Sequence, residues 1–180
     1  MNRRFCDGRR TRQDEVNGYL DLGMFTEAIR AARELLPQKR LSADEFDACL
    51  NAALCEVHHL GGWRESVERA YGGMRQGARR RCEHLMLWFY AAQQDHVNAV
   101  SFIPGKFSGP FALVNLLFAM STYLGLKRLD KAHRLVPRCE RAARTASDPE
   151  MRRMLEEVLG EFYREVEMLR SQRLGQVKIA

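Results

Sequence analysis

Residues 20–32 read LDLGMFTEAIRAA, and this stretch decides the fold. An apolar helical pattern breaks at Gly23, and a second pattern begins at Phe25 and continues through Ala28 and Ala32. Apolar residues three and four positions apart lie on one face of a helix. Two such patterns separated by so short a break predict a pair of antiparallel helices, because a tight connection folds the second helix back onto the first.

The same plan returns three times further along the chain. Each copy has an aromatic residue or valine near the end of one helix, a break, and a small residue inside the next helix. The copies read VHHLGGWRESVERA (57–70), YAAQQDHVNAVSFI (90–103) and YLGLKRLDKAHRLV (123–136). Their small residues are Ala28, Ser66, Ala99 and Ala132, which are 38, 33 and 33 residues apart. Spacing of this kind predicts an array of two-helix units.

Over about residues 8–146 the chain resembles the tetratricopeptide-repeat (TPR) family, whose period is about 34 residues. The segment Gly23–Ile29 matches the family pattern best. The aromatic position of the first helix is held by Tyr19, Val57, Tyr90 and Tyr123, and the large residue after the turn by Phe25, Trp63, His96 and Leu129. The family's small residue in the first helix is replaced by Val16, Leu54, Leu87 and Met120. A non-repetitive helical domain with a chance spacing of alanines is the alternative.

The predicted fold is all-α, an array of antiparallel helical hairpins with a capping helix. Residues 1–10 form a basic arm whose composition is compatible with disorder, 11–146 hold about four TPR-like units, and 147–180 hold the capping helix and a tail. Ser42 and Glu45 form a capping box, and Ser147-Asp148-Pro149 starts the last helix. Pro137 is expected to kink or split the helix over 127–144.

Composition and motifs exclude several classes of function. The five cysteines are odd in number and show no C-x-x-C spacing, which favours a reducing, cytoplasmic location over a disulfide framework. The apolar stretch 111–126 is too short for a membrane span and predicts a buried helix. Nucleotide-binding and nucleophile-elbow motifs are absent, and Glu56 and His59 make a single E-x-x-H. We therefore expect no enzyme activity, no metal and no cofactor.

The TPR resemblance implies a concave groove, lined by the first helix of each unit, that binds an extended peptide or a partner helix. The groove positions it assigns are Gln13, Asn17, Asn51, Cys55, His58, Arg81, His84 and Trp88. Asparagine and arginine side chains can hold a peptide backbone or a carboxylate, and tryptophan supplies an apolar anchor. The alternative is that these are ordinary polar residues on exposed helix faces.

The distribution of positive charge leads to a second functional hypothesis. The net charge is +6, and five cations recur at steps of four and three on one predicted helix face: Lys127, Lys131, Arg134, Arg138 and Arg141. Arg79 and Arg80 belong to another basic run. Such patches could bind RNA, DNA or an acidic protein. The primary hypothesis is a protein-binding scaffold or adaptor, and nucleic-acid binding and self-association are the alternatives.

Overall fold

The computed structural model describes residues 12–38 and 40–177, and the side chains of Val57 and of 173–177 are not described. Within these ranges the protein is all-α and contains no strand. The α-helices are α1 (Arg12–Asp21), α2 (Phe25–Leu35), α3 (Ala43–Leu54), α4 (Arg64–Gly73), α5 (Gln76–Ala92), α6 (His96–Ala99), α7 (Ala112–Gly125), α8 (Leu129–Thr145) and α9 (Pro149–Val177). Short 3₁₀ helices cover Val57–Trp63 and Val100–Phe102. The predicted basic arm, 1–10, lies outside the described residues.

Capping chemistry fixes the start of two helices as the sequence predicted. The hydroxyl of Ser42 accepts a hydrogen bond from the backbone N–H of Glu45 at 3.1 Å, and the Glu45 carboxylate accepts one from the backbone N–H of Ser42 at 2.7 Å. At the start of α9 the Asp148 carboxylate accepts from the backbone N–H of Glu150 at 2.9 Å. These side chains satisfy donors that a helix N-terminus would leave unpaired.

The described residues form two compact units that divide inside α5, between Leu85 and Met86. In the first unit α1, α2 and α3 all pack against one another. Their shared core holds Val16, Ala28, Ala32, Phe46 and Cys49, each with no exposed surface. The small residues allow a close approach of the helices, and Phe46 fills the space between them.

In the second unit α7 packs against α8 and α9, and α8 packs against α9. The core of this unit includes Met120, Ala132, Cys139, Leu155 and Phe162. The most apolar segment of the sequence is α7, and it is buried in this core as predicted. Among the described helices, none combines the length and the apolar character that crossing a membrane requires.

Three of the four predicted hairpin breaks share one backbone geometry. The left-handed residues are Gly23 (φ 70°), Gln94 (φ 58°) and Lys127 (φ 55°). The backbone N–H of the following residue reaches back five positions to a tyrosine carbonyl in each case: Met24 to Tyr19 at 2.8 Å, Asp95 to Tyr90 at 2.9 Å and Arg128 to Tyr123 at 2.8 Å. This pattern is the Schellman motif that ends a helix. The recurring tyrosines of the sequence therefore mark a recurring turn.

Other expectations differ from the structure. The segment before Trp63 forms a 3₁₀ helix instead of the shared turn. The TPR resemblance implies that the large residue after each turn fills the groove beside the small residue, but Phe25 is 52% exposed, whereas Trp63 is 2% exposed. Pro137 does not split α8, which is continuous from Leu129 to Thr145. Pro137 and His133 are both exposed, so water can satisfy the His133 carbonyl that loses its intrahelical donor.

We expect the Gln94→Gly variant to be more stable than the wild type by about 1 kcal/mol. A left-handed φ costs a residue with a Cβ about that much, and glycine adopts it freely. The free energy of unfolding, measured by urea denaturation, checks this value. The control is Gln93→Gly, which lacks a left-handed φ and should lose stability. Equal or lower stability of Gln94→Gly would contradict the turn geometry.

Candidate functional site

Three polar side chains come together in the first unit, and we call them the polar cluster: Asp47 and Asn51 of α3 and His84 of α5. The Asn51 amide donates a hydrogen bond to the Asp47 carboxylate, one helical turn away. His84 lies within the electrostatic reach of Asp47, and its ring donates a hydrogen bond to the backbone carbonyl of Arg81. All three side chains are half-buried. Asp47 and Asn51 lie on the side of α3 that is not buried in the core of this unit, and His84 is contributed by α5.

Burial dominates the electrostatics of the polar cluster. It raises the pKa of Asp47 above its ordinary 3.8, and the nearby Asp44 raises it further, while His84 and Asn51 act in the opposite direction. Burial also lowers the pKa of His84 from 6.5, although the charge of Asp47 opposes this shift. The cluster therefore favours neutral His84, and it holds Asp47 in surroundings less polar than water.

We expect the protein to lose stability as the pH falls below about 6.5, with part of that loss due to His84. Because the pKa of His84 is lower in the folded protein, the unfolded chain binds a proton in a pH range where the folded chain does not. Asp47 acts in the opposite direction, and only near and below its own raised pKa. Urea midpoints at about pH 7.5 and about pH 5.5 measure the loss. His84→Gln should show a smaller loss than the wild type, and an equal loss would contradict this assignment.

A second cluster lies in the second unit, and we call it the aromatic cluster: Trp88 of α5, Phe111, which precedes α7, and Asn115 and Phe118 of α7. The Trp88 ring meets Phe111 edge-on at 5.3 Å between centroids, and Phe118 at 6.4 Å. The indole Nε1–H of Trp88 donates to Asn115 Oδ1 at 2.8 Å. Asn115 is only 8% exposed, whereas Phe111 is 43% exposed. The cluster thus joins an apolar surface to one buried amide.

The eight predicted groove residues lie on several different elements of the structure. Asn51 and His84 both interact with Asp47 in the polar cluster, and Arg81 lies one turn before His84 and is exposed. Gln13 and Asn17 are on α1 and half-buried. Cys55 is the residue that ends α3, and His58 lies in the following 3₁₀ helix, so neither belongs to the regular face of α3. Trp88 belongs to the aromatic cluster of the other unit.

Sequence reasoning missed Asp47 and Asn115. Asp47 lies four residues before Asn51, a spacing that places both on one helix face. Asn115 stands alone as an amide in the most apolar helix of the chain, α7. Both signals were present in the sequence, but the tertiary partners His84 and Trp88 were needed to show what these side chains contact.

Four of the five predicted cations lie on one face of α8, which we call the α8 cationic face: Lys131, Arg134, Arg138 and Arg141. All four are exposed, and none forms an ion pair within the described part of the chain. The guanidinium of Arg138 lies 5.9 Å from the centre of the Phe107 ring. Ala132, Val136, Cys139 and Ala143 are buried on the other side of α8, and Leu129 is partly buried there.

The remaining predicted cations are less available to bind an anionic partner. Lys127 lies before α8 and pairs with Glu165 at 2.6 Å. Arg79 and Arg80 are in the first unit. Arg80 is exposed, but Arg79 is half-buried and its Nε is a buried donor without a hydrogen-bond partner among the described residues. The α8 cationic face is therefore defined by four residues rather than by the five of the predicted helix face, because Lys127 lies before α8 and is paired with Glu165.

A cleft of about 1110 Å³ opens in the second unit, beside the turn at Gly125 and the second half of α9. Its lining carries both charges, and Lys127 and Glu165 pair within it. The ring of His96 lies against Gly125, and its Nδ1 is a buried atom without a hydrogen-bond partner among the described residues. The cleft joins segments far apart in the sequence, so no local pattern could have predicted it.

The described residues give little evidence of a reactive cysteine or of a metal site. Burial raises the pKa of Cys49 to about 12, of Cys82 to about 11 and of Cys139 to about 12, so these thiols stay protonated at neutral pH. The pKa of the exposed Cys55 is also raised by burial of its sulfur. In the ranges 12–38 and 40–177, no three histidine, cysteine or acidic side chains are grouped as metal ligands.

Comparison with known proteins gives no match. No protein-family model, no curated protein and no solved structure is similar to this chain at a significant level. What the protein does is therefore inferred from its own residues.

Proposed function

We propose that this protein is a non-enzymatic, TPR-like interaction module that binds a peptide or a partner helix. The observation that carries the proposal is the polar cluster: half-buried Asp47 interacts with Asn51, its neighbour on α3, and with His84 of α5, which is also half-buried. Partly desolvated polar groups form stronger hydrogen bonds than fully hydrated ones. An extended peptide offers the backbone donors and acceptors that such a cluster can pair.

The arrangement of the helices also supports a TPR-like array. In the first unit, α1 packs against both α2 and α3, and in the second unit α7 packs against both α8 and α9. The three matching turns at Gly23, Gln94 and Lys127 join helices in the same way. In stacked hairpins of this kind, one face of the first helices is left uncovered and serves for binding. The sequence's odd cysteine count without C-x-x-C spacing is the reason to propose a cytoplasmic location.

The test is selection of a displayed library of random peptides, about a dozen residues long, on the full chain. Affinities of the selected peptides are then measured for Asn51→Ala and His84→Ala. We expect each variant to weaken binding about 5-fold, the effect of about 1 kcal/mol for one lost hydrogen bond. The control is Gln38→Ala, an exposed amide of the same unit. Failure to select any peptide, or unchanged affinity of both cluster variants, would reject the proposal.

A second candidate function is binding of a nucleic-acid duplex, and the α8 cationic face favours it. Four exposed cations without an ion-pair partner lie on one helix face, and phosphate groups could neutralise them. Asp130 and Glu140 are each adjacent in sequence to a cation of this face, and Glu140 accepts a hydrogen bond from the Tyr163 hydroxyl. No phenylalanine, tyrosine or tryptophan occurs between Lys131 and Arg141 in the sequence, and the Phe107 ring beside Arg138 is half-buried, so a duplex fits better than a single strand.

Fluorescence polarisation with short DNA and RNA duplexes at several salt concentrations tests this candidate. The logarithm of affinity should fall with the logarithm of salt concentration by about 0.9 per phosphate contacted. Arg134→Glu/Arg138→Glu should lower both affinity and slope, whereas Arg153→Glu/Arg170→Glu on α9 makes the same change of charge away from the face. Equal effects of the two pairs would show that net charge alone is responsible.

A further inference from the structure

One buried amide in the aromatic cluster has an open donor. Asn115 is 8% exposed, and its Oδ1 accepts the hydrogen bond from Trp88 Nε1 at 2.8 Å. Its Nδ2 donates no hydrogen bond within the described residues, yet the atom is not sealed from solvent. Water can reach this end of the amide, so the donor is available to a ligand that displaces the water and accepts its hydrogen bond.

The chemistry of Trp88 fixes the orientation of this amide. An indole N–H can only donate a hydrogen bond, so the atom that it reaches must be the oxygen of Asn115. The NH₂ group is therefore at the other end of the amide. Rotating the amide by 180° would bring two donors together and lose the 2.8 Å hydrogen bond. The open position is thus a donor.

Aromatic side chains lie around this donor. Trp88, Phe111 and Phe118 form the aromatic cluster around Asn115, and Phe111 is 43% exposed. Leu113, at the start of α7, is 38% exposed and adds apolar surface nearby in the sequence. None of the three aromatic side chains carries a charge, so a carboxylate or phosphate would gain a hydrogen bond from Asn115 but no ion pair from these rings. A neutral acceptor beside an apolar group fits the cluster better.

We propose that Asn115 Nδ2 donates a hydrogen bond to a main-chain carbonyl of a bound peptide, and that a large apolar side chain next to that carbonyl packs on Trp88 and Phe111. The occupant is thus a hydrophobic segment of another protein, bound in an extended form. This inference rests on the proposed function and specifies the chemistry of its partner. Trp88 serves as a positioning residue for Asn115 and also as part of the apolar surface.

The roles of the two side chains differ in a way that substitutions can separate. Asn115→Asp keeps an oxygen for Trp88 Nε1 and nearly the same shape, but it replaces the open donor with an acceptor. Trp88→Phe keeps an aromatic ring but removes the N–H that orients the amide. Gln172→Glu, an exposed position on α9, adds the same negative charge as Asn115→Asp outside the cluster and is the matched control.

The experiment uses the full chain and peptides selected from the random library described above. We expect these peptides to share a large apolar residue and to bind Asn115→Asp at least 10-fold more weakly than the wild type. Trp88→Phe should bind them several-fold more weakly, and Gln172→Glu should bind them as the wild type does. In ¹⁵N-labelled protein, the side-chain NH₂ signals of Asn115 should shift when a selected peptide is added, a change that a purely structural role for Asn115 would not produce.

Each other outcome overturns the inference in a distinct way. If peptides bind, depend on Asn51 and His84, and ignore Asn115→Asp and Trp88→Phe, the inference fails while the proposed function stands. If no peptide is selected, the proposed function fails and the inference fails with it. If Asn115→Asp instead turns a dimer into a monomer in sedimentation experiments without peptide, a second copy of the chain covers the cluster and the peptide assignment is wrong.

Discussion

We expect the Trp63→Ala variant to lose about 3–5 kcal/mol of the free energy of unfolding, the range for truncating a buried aromatic residue. Trp63 is 2% exposed, and it is the largest side chain in the core of the first unit. Its indole N–H donates to Glu56 Oε2 at 2.9 Å, and the same oxygen accepts from Arg33 at 2.9 Å. The Arg33 guanidinium also lies 4.8 Å from the centre of the Trp63 ring. Removing the ring creates a cavity and leaves this group of three interactions incomplete.

Urea denaturation followed by circular dichroism measures the loss for Trp63→Ala. The control is Phe25→Ala, which truncates an aromatic residue of the same unit that is 52% exposed and should cost much less. Trp63→Phe separates the hydrogen bond from the packing, because it keeps a ring and removes only the N–H and part of the area. Losses of similar size for Trp63→Ala and Phe25→Ala would contradict the burial described for Trp63.

The second large effect is expected at Gly125, the last residue of α7. A Cβ on this residue would overlap three atoms of the His96 imidazole, so the whole ring would have to move. Overpacking of this kind costs about 1–3 kcal/mol. Gly125→Ala should therefore be destabilised, although alanine is normally the better helix former. The matched control is Gly160→Ala inside α9, where a Cβ meets nothing within 4 Å and alanine should add up to about 1 kcal/mol.

A double-mutant cycle identifies the cause of the loss at Gly125. In the His96→Ala background the ring is absent, so Gly125→Ala should be close to neutral in thermal and urea denaturation. A similar loss in both backgrounds would mean that the clash with His96 is not responsible. The difference between the backgrounds measures the contact between these two positions.

Local sequence patterns predicted the elements that depend on neighbouring residues. The capping box of Ser42 and Glu45, the start of α9 at Pro149 and the buried α7 all follow from residues within one or two helical turns. The failures have tertiary causes. Phe25 follows a turn in the expected way, but the packing of the unit leaves it exposed. Pro137 does not split α8, because the carbonyl that it deprives of a donor belongs to exposed His133.

The candidate site was less predictable than the fold. Asn51, His84 and Trp88 were assigned from the TPR resemblance, but their partners Asp47 and Asn115 were not. Contact between α3 and α5, or between α5 and α7, joins residues about 30 positions apart, and no spacing rule within one helix reports such a contact. The aromatic cluster depends on the Trp88–Asn115 hydrogen bond, which the sequence shows only as an amide in an apolar helix.

The turns at Gly23, Gln94 and Lys127 also bear on how fast the chain folds. Each turn closes its hairpin through hydrogen bonds between residues three and five positions apart, so two helices meet after a very short loop is closed. Short loops cost little entropy to close, and chains dominated by local contacts cross their folding barrier in microseconds to milliseconds. The left-handed φ angles of Gln94 and Lys127 therefore lie at points where a short loop, closed at little entropic cost, reverses the direction of the chain.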